Sequence, residues 1–311
     1  MEKVMRNKTA AALFILPSFI LFVLIVVAPI FLSAHYSTLE WDGIREPVQV
    51  GLDNYRSLMD DNVFWLATRN SFIFAGASIV FQLPLSMLLA LVLASKVKFE
   101  RFFVTVYFIP VILAAVVIGQ MWGRIYNMRY GLLNYLLNTM GFTELGQTVW
   151  LGTAETALIA VLVAVLWQYV GYHMLLYYSG IRSISPDIFE AAKIDGAGFW
   201  RTSLSITIPL LKPIIAVSLI FSATGAMKVF DMVRILTDGG PYKQTEVLTT
   251  LMFHTMISPE RKYGRGSAIA MVLIAVCFSL YMLISFIFRD REEKKLRKAE
   301  KGKGERLNGN G

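Results

Sequence analysis

The chain has 311 residues, a mean hydropathy of +0.56, 56% hydrophobic residues and only 17% charged ones. A soluble chain of this length needs far more polar surface to cover its core, so the balance excludes an ordinary water-soluble domain and points to an integral membrane protein. Much of the formal charge of +8 lies at the two ends, beside apolar segments, which suits the cytoplasmic flanks of membrane helices better than a nucleic-acid surface.

Met1 to Lys8 carries Lys3, Arg6 and Lys8, and Thr9 to Leu39 follows without a charged residue. That run is longer than the roughly 7–15-residue apolar core of a cleavable signal, so it reads as an uncleaved first spanning helix with Pro17 and Pro29 as local kinks. Leu39 to Asn70 sets Glu40, Asp42, Glu46, Asp53, Asp60 and Asp61 against only Arg45, Arg56 and Arg69, a balance that suits the outer side. Asn70 to Ser95 is an uncharged second span containing Gln82 and Pro84, and Lys96, Lys98, Glu100 and Arg101 make a short basic inner loop. Phe102 to Gly123 is the third span, just long enough for a hydrocarbon layer of about 30 Å at roughly 1.5 Å per residue. Arg124 to Glu155 returns on the outside with two basic and two acidic residues, and Thr156 to Ile181 is the fourth span.

A polar stretch follows, SISPDIFEAAKIDGAGFWRTSLSITIPLLKP from Ser183 to Pro213. Ser185 can cap a helix start, Pro186 suits the first helical position, and Asp187 favours the positive end of the dipole. FEAAKID continues the helix, Gly196 can supply a left-handed closing residue, and FWRTSLSI can restart a helix before Pro209 and Pro213. Glu190, Lys193, Asp195 and Arg201 are mixed there with Ile188, Phe189, Phe199 and Trp200, the composition of a docking surface. The fifth span has an uncharged core only from Pro213 to Met227. Since about 20 residues are needed to cross, it must extend through Lys228 and Asp231 to about Met232, which puts those two charges on one helical face where they could pair. Gly266 to Phe288 is the sixth span, and from Arg289 a tail with nine basic and five acidic residues reads as a cytoplasmic helix fraying into a disordered GKGERLNGNG end. Six spans place both basic termini inside.

The chain has no G-x-x-x-x-G-K-[ST] phosphate loop, no G-x-S-x-G, and no metal-type spacing among His35, His173 and His254, so it is read as a non-enzyme that does not hydrolyse ATP alone. Cys277 is its single cysteine, which excludes an internal disulfide. Polar groups are costly in hydrocarbon and turn inward, so Gln82, Gln120, Gln168, Tyr172, His173, Ser222 and Thr224 are candidates for a lined cavity, with Lys228 and Asp231 at its outer end. Trp167, Gln168, Tyr169 and Tyr172 could offer amides and aromatic faces to a sugar, and the rival role for any of these residues is helix-helix packing.

Glu190-Ala191-Ala192, then Asp195-Gly196-Ala197, then Ile206 and Ile208-Pro209 at matching spacing resemble the EAA loop of the membrane subunits of binding-protein-dependent ABC importers, where Leu is usual at the position of Ile208. LEWDG (39–43) and VGLDNYRSLMDDNVFWLATRNS (50–71) resemble the first outer segment of maltose-type carbohydrate permeases. RILTDGGPYKQTEVL (234–248) is similar to that family's outer loop between the last two spans, whose Gly-Gly-Pro turn sits beside the translocation pathway. The resemblance implies an all-α, six-helix type I importer permease of MetI-like fold with a cytoplasmic coupling helix. It divides the chain into an N-terminal helix and periplasmic loop (1–69), a permease core (70–288) and a basic cytoplasmic tail (289–311). It further implies half of a sugar pathway in a bacterial inner membrane. The partners would be a second, unlike permease, two ATPase subunits carrying ATP and Mg, and an external solute-binding protein, with no cofactor or metal on this chain. Glu190, Ala191, Ala192, Asp195, Gly196 and Ala197 would couple to the ATPase: Glu190 by a charge-assisted contact, the two alanines by allowing close approach, and Gly196 by permitting the turn. The alternative from another class is an ion-gradient-driven secondary transporter or channel, which would typically carry acidic residues in mid-span; none lies in the middle of a span.

Overall fold

The computed structural model describes residues 8–95 and 97–308, with side chains described for 14–95 and 97–288; Lys3, Arg6 and Lys96 lie outside the described residues. Among these, five helices are long and apolar enough to cross a membrane, and a bent pair adds a sixth crossing when counted as one. The first span joins α1 (Lys8–Phe22) to α2 (Ala28–Tyr36) through a wide turn, Val23–Val27. A short antiparallel pair, β1 (Leu39–Glu40) with β2 (Val48–Gln49), leads to α3 (Asp53–Met59). The second span is α4 (Asn62–Ala77), a wide turn Ser78–Gln82, and α5 (Leu83–Ala94). It starts at Asn62 rather than Asn70 because the Asp61 carboxylate accepts the free Val63 N–H at 2.8 Å, a side-chain cap placed ahead of the apolar run. Then come α6 (Glu100–Ile112), α7 (Ala115–Ile125), α8 (Leu132–Thr139), the 29-residue α9 (Ala154–Arg182) and α10 (Pro186–Ile194). After Phe199–Leu210, a broken helical stretch, the chain continues as α11 (Lys212–Met227), α12 (Asp231–Leu236), α13 (Leu248–Ile257) and α14 (Tyr263–Asn308).

The chain divides into two compact units. In the first, Met1–Trp65 with Leu251–Ala275, the Asn54 amide donates to the Ser37 and Leu39 carbonyls at 2.9 and 2.8 Å, and the Tyr55 hydroxyl donates to Ser37 at 2.7 Å. The Tyr263 N–H donates to the Trp41 carbonyl, the two rings lie 6.0 Å apart, and Arg265 pairs with Asp61. The segment between the first two spans is thus a folded cap on the start of α14.

In the second unit, Leu66–Thr250 with Val276–Gly311, α9 is the central element and packs against α5, α6, α11 and α12. Ala157, Ala160 and Ala164, buried at helical spacing, let neighbours approach closely. One apolar cluster gathers Phe74, Ile118, Val161, Val165, Met232, Val233 and Val247, and a second gathers Leu91, Met174, Tyr177, Ile181 and Leu211 with Ala90 and Leu93.

Three expectations change. The third span is not one straight helix: α6 and α7 meet at 99° across Leu113 and Ala114, whose extended backbone (ψ 144° and 137°) interrupts the hydrogen-bond ladder. Pro110 already weakens the last turn of α6, and the bend lets α7 pack Ile118 and Gly119 against α12, where a Cβ on Gly119 would stand 2.5 Å from Ile235. The fifth span does extend to Leu236, but as two helices, since the backbone leaves helical geometry at Lys228 (φ −100°, ψ 11°) and Phe230 (φ −137°, ψ −60°). The tail continues as helix to Asn308 instead of fraying at Gly302, in keeping with its Lys, Arg, Glu and Ala content; Gly309 to Gly311 lie outside the described residues.

Candidate functional site

The polar stretch from Ser183 to Pro213 forms a helix held from behind. Pro186 occupies the first turn of α10, with Ser185 at the capping position. The Ser185 hydroxyl does not cap the free amides as the sequence suggests: no backbone N–H of the first turn reaches its oxygen, and the hydroxyl donates to Asp187 Oδ2 at 3.1 Å. The helix closes as read: Gly196 adopts φ +72°, its N–H donates to the Lys193 carbonyl at 3.1 Å, and the Ala197 N–H reaches back to the Ala192 carbonyl at 2.9 Å. Gly198 is extended (ψ 173°) and Phe199 restarts the helix.

On α10 and its turn, Glu190, Ala191, Lys193, Asp195 and Gly196 are exposed, as are Ile188, Phe199 and Trp200, and Ile194 is 86% exposed. Ala192 is buried against its own chain, so of the two alanines only Ala191 is placed to admit a partner; Phe189 likewise turns inward onto the cluster around Tyr177 and Leu211. Ala197 and Glu190 border a groove of about 570 Å³ between α10 and the ends of α5 and α9. A contact the sequence did not reveal ties this region to α6: Arg182, the last residue of α9, pairs with Glu100, the first of α6. The Tyr178 hydroxyl donates to the same carboxylate, and the guanidinium lies over the Tyr178 ring at 5.4 Å.

Farther along the same helices lies a cavity of about 310 Å³, at the small end of the roughly 300–1,000 Å³ usual for ligand sites. It is lined by Gln82 from the second span, by Gln168, Tyr169, Tyr172 and His173 from α9, by Phe221 and Ser222 from α11, and by Lys228 and Asp231 at the break. These residues differ in how much polarity they have left. The Ser78 hydroxyl donates to Gln82 Oε1 and lies 2.7 Å from the Ser222 hydroxyl, while Gln82 Nε2 donates to the Leu166 carbonyl at 3.3 Å. Gln82 and Ser222 therefore spend much of their polarity joining helices. Gln168 is only 3% exposed, and its amide makes no hydrogen bond to a described residue. Tyr172 packs edge-on to His173 at 5.1 Å and tilts against Phe221 at 6.5 Å.

Other expected lining residues lie elsewhere. The Thr224 hydroxyl donates to the Ile220 carbonyl of its own helix at 2.7 Å, Gln120 is exposed on α7, and Trp167 packs edge-on against Trp122 at 5.6 Å; none of the three lines the cavity. Lys228 and Asp231 do line it, but on opposite sides of the helix break, so they share no helical face and form no ion pair with each other. The break is stabilised from outside the helix: the Val229 carbonyl accepts the Thr249 hydroxyl, and Met232 and Val233 are drawn into the apolar cluster. Ser78 was missed by the sequence reading, although its i,i+4 spacing from Gln82 was a usable signal.

Residues 9–298 match the family described as the binding-protein-dependent transport system inner membrane component. A probable ABC transporter permease protein of Bacillus subtilis (strain 168), YurN, is 37% identical over 292 residues, covering 93% of this chain and 99% of that protein. The trehalose/maltose transport system permease protein MalF of Thermococcus litoralis is 31% identical over 290 residues, covering 93% and 96%. In a crystal structure of a bacterial ABC transporter involved in the import of the acidic polysaccharide alginate, one chain has the same fold, with a TM-score of 0.78 at 22% identity over 93% of this chain and 98% of that one.

Proposed function

The chain belongs to the binding-protein-dependent transport system inner membrane components, and we propose that it is one of two unlike permease subunits of an ATP-driven sugar importer. Relatives named for trehalose and maltose or for starch degradation products support a carbohydrate, and an apolar and aromatic cavity with a free amide suits one. The family leaves the ion-gradient-driven alternative without support.

The observation that carries the reading is the build of α10. Its outer face presents Glu190 and Ala191, while Phe189 and Ala192 anchor it to the chain. It connects α9 to α11 through a turn closed by Gly196, and those two helices supply most of the polar lining of the cavity. An ATPase pair that holds ATP and Mg and closes around them would shift α10 as a rigid piece. The unbroken α9 would carry that shift to Gln168 and Tyr172, moving the cavity between inward and outward exposure. A second permease would complete the pathway and an external solute-binding protein would deliver the sugar, with both termini on the cytoplasmic side of a bacterial inner membrane.

Co-purification with the ATPase and ATP-dependent uptake test this. A charge-assisted hydrogen bond is worth about 1.5–3 kcal/mol, so Glu190→Lys should lower ATPase association at least ~10-fold and abolish uptake. Gly196→Ala meets no atom within 4 Å, so its effect isolates the left-handed backbone, at about 1–2 kcal/mol, and should weaken coupling less. Association and uptake both intact in Glu190→Lys would overturn the coupling role.

A further inference from the structure

His173 and Ser218 form a buried pair between α9 and α11: His173 Nδ1 lies 2.8 Å from Ser218 Oγ. Ser218 is 0% exposed, and its hydroxyl has a second neighbour in the buried Tyr177 hydroxyl, one turn after His173 on α9. A buried O–H proton without an acceptor costs about 1–3 kcal/mol, and the Tyr177 O–H has no other partner among the described residues, so it is turned to Ser218 Oγ; that leaves the Ser218 proton for His173, the hydroxyl donating and Nδ1 accepting. A neutral imidazole carries one proton, which then sits on Nε2. His173 is 3% exposed, lines the cavity, and has no hydrogen bond from Nε2 to a described residue, yet that atom is not sealed from open space. Gln168, on the same helix and equally buried, brings its unpartnered amide to the same cavity.

We infer that His173 is a further solute contact, donating from Nε2–H to a hydroxyl oxygen of the sugar while the Gln168 carbonyl oxygen accepts that hydroxyl's proton, and that Ser218 is a positioning residue that fixes the required tautomer. A sugar hydroxyl is both donor and acceptor and satisfies both groups, which an apolar solute cannot do. The inference rests on the sugar-import reading and deepens it by naming the group recognised.

The test uses the full importer in proteoliposomes with its ATPase and binding protein, offered trehalose, maltose, xylose and diacetylchitobiose in turn. The readout is sugar moved per ATP hydrolysed. His173→Gln places an amide N–H near the Nε2 position and should keep the ratio within about threefold; His173→Asn places one near Nδ1 and should lower it at least ~10-fold. Ser218→Ala should lower the ratio several-fold when His173 is present and have no effect in the His173→Gln background, because an amide needs no partner to set its tautomer. If the variants at 173 fail to bring down the ATPase, Ser218→Ala alone decides, a fall in the ratio supporting the assignment and an unchanged ratio overturning it. An unsubstituted complex that moves none of the four sugars overturns the sugar reading and this assignment together. A complex that moves one of them but gives equal ratios for Gln and Asn at 173, or an Ala effect at 218 that persists in the His173→Gln background, overturns this assignment alone.

Discussion

Asn70 uses both hydrogens of its amide on one turn: Nδ2 donates to the Gln244 and Glu246 carbonyls at 2.8 Å each, and the residue is 0% exposed. In the sequence it reads only as the polar edge of an apolar run. Asn70→Leu leaves both carbonyls buried without this donor, and at about 1 kcal/mol per lost bond plus the desolvation of the orphaned groups the expected loss is about 2–3 kcal/mol. Thermal unfolding of the purified chain, followed by dye labelling of Cys277, should show a lowered midpoint; an unchanged midpoint would mean that water replaces the amide without cost. The same limit applies to the cavity. Composition singled out Gln82, Gln168, His173, Ser222 and Thr224 alike, but a polar side chain is free for a solute only if no neighbour has claimed it, and the claims come from Ser78, Leu166, Ser218 and Ile220.

Elements were more legible where a local rule acts. The wide turns at Val23–Val27, Ser78–Gln82 and Ser203–Thr207 each contain the residue four before a proline, respectively Ile25 before Pro29, Val80 before Pro84 and Ser205 before Pro209. That is where the ring removes a hydrogen bond and would clash with the carbonyl, so the widened turn absorbs the defect without breaking the span. The sequence marks these positions. It does not mark the 99° bend between α6 and α7, which depends on packing against α12. Close crossings are equally hidden. A Cβ on Gly171 would stand 1.8 Å from the Tyr107 carbonyl oxygen, so Gly171→Ala must force α6 away from α9. A loss of about 3 kcal/mol or more is expected, with reduced yield of folded protein by size-exclusion chromatography. Gly76→Ala, which meets nothing within 4 Å inside α4, is the control and should be neutral or stabilising by up to about 1 kcal/mol. Equal yields for the two variants would contradict the crossing.

At the scale of the whole molecule, charge and span count lead to the expectation that both termini lie inside, and single-cysteine labelling in a Cys277→Ser background checks it. Met140→Cys, on an exposed residue after α8, should react with a membrane-impermeant reagent in cells whose outer barrier is opened; Trp200→Cys, in the chain expressed without its ATPase, should react only after the membrane is permeabilised. The reverse pattern would invert the topology. By itself the sequence determined that the chain spans a membrane, where most spans lie, and that one polar segment carries a helix start at Pro186 and a glycine stop at Gly196. Those are local properties, set by hydropathy over a span and by the backbone preferences of Pro186 and Gly196. Only the tertiary structure decided that Ala192 and Phe189 face inward, that Lys228 and Asp231 stand apart, and which polar groups remain free in the cavity. Each of those outcomes depends on contacts between residues far apart in the chain, such as Ser78 with Ser222 and His173 with Ser218, and hydropathy carries no record of which side chains meet.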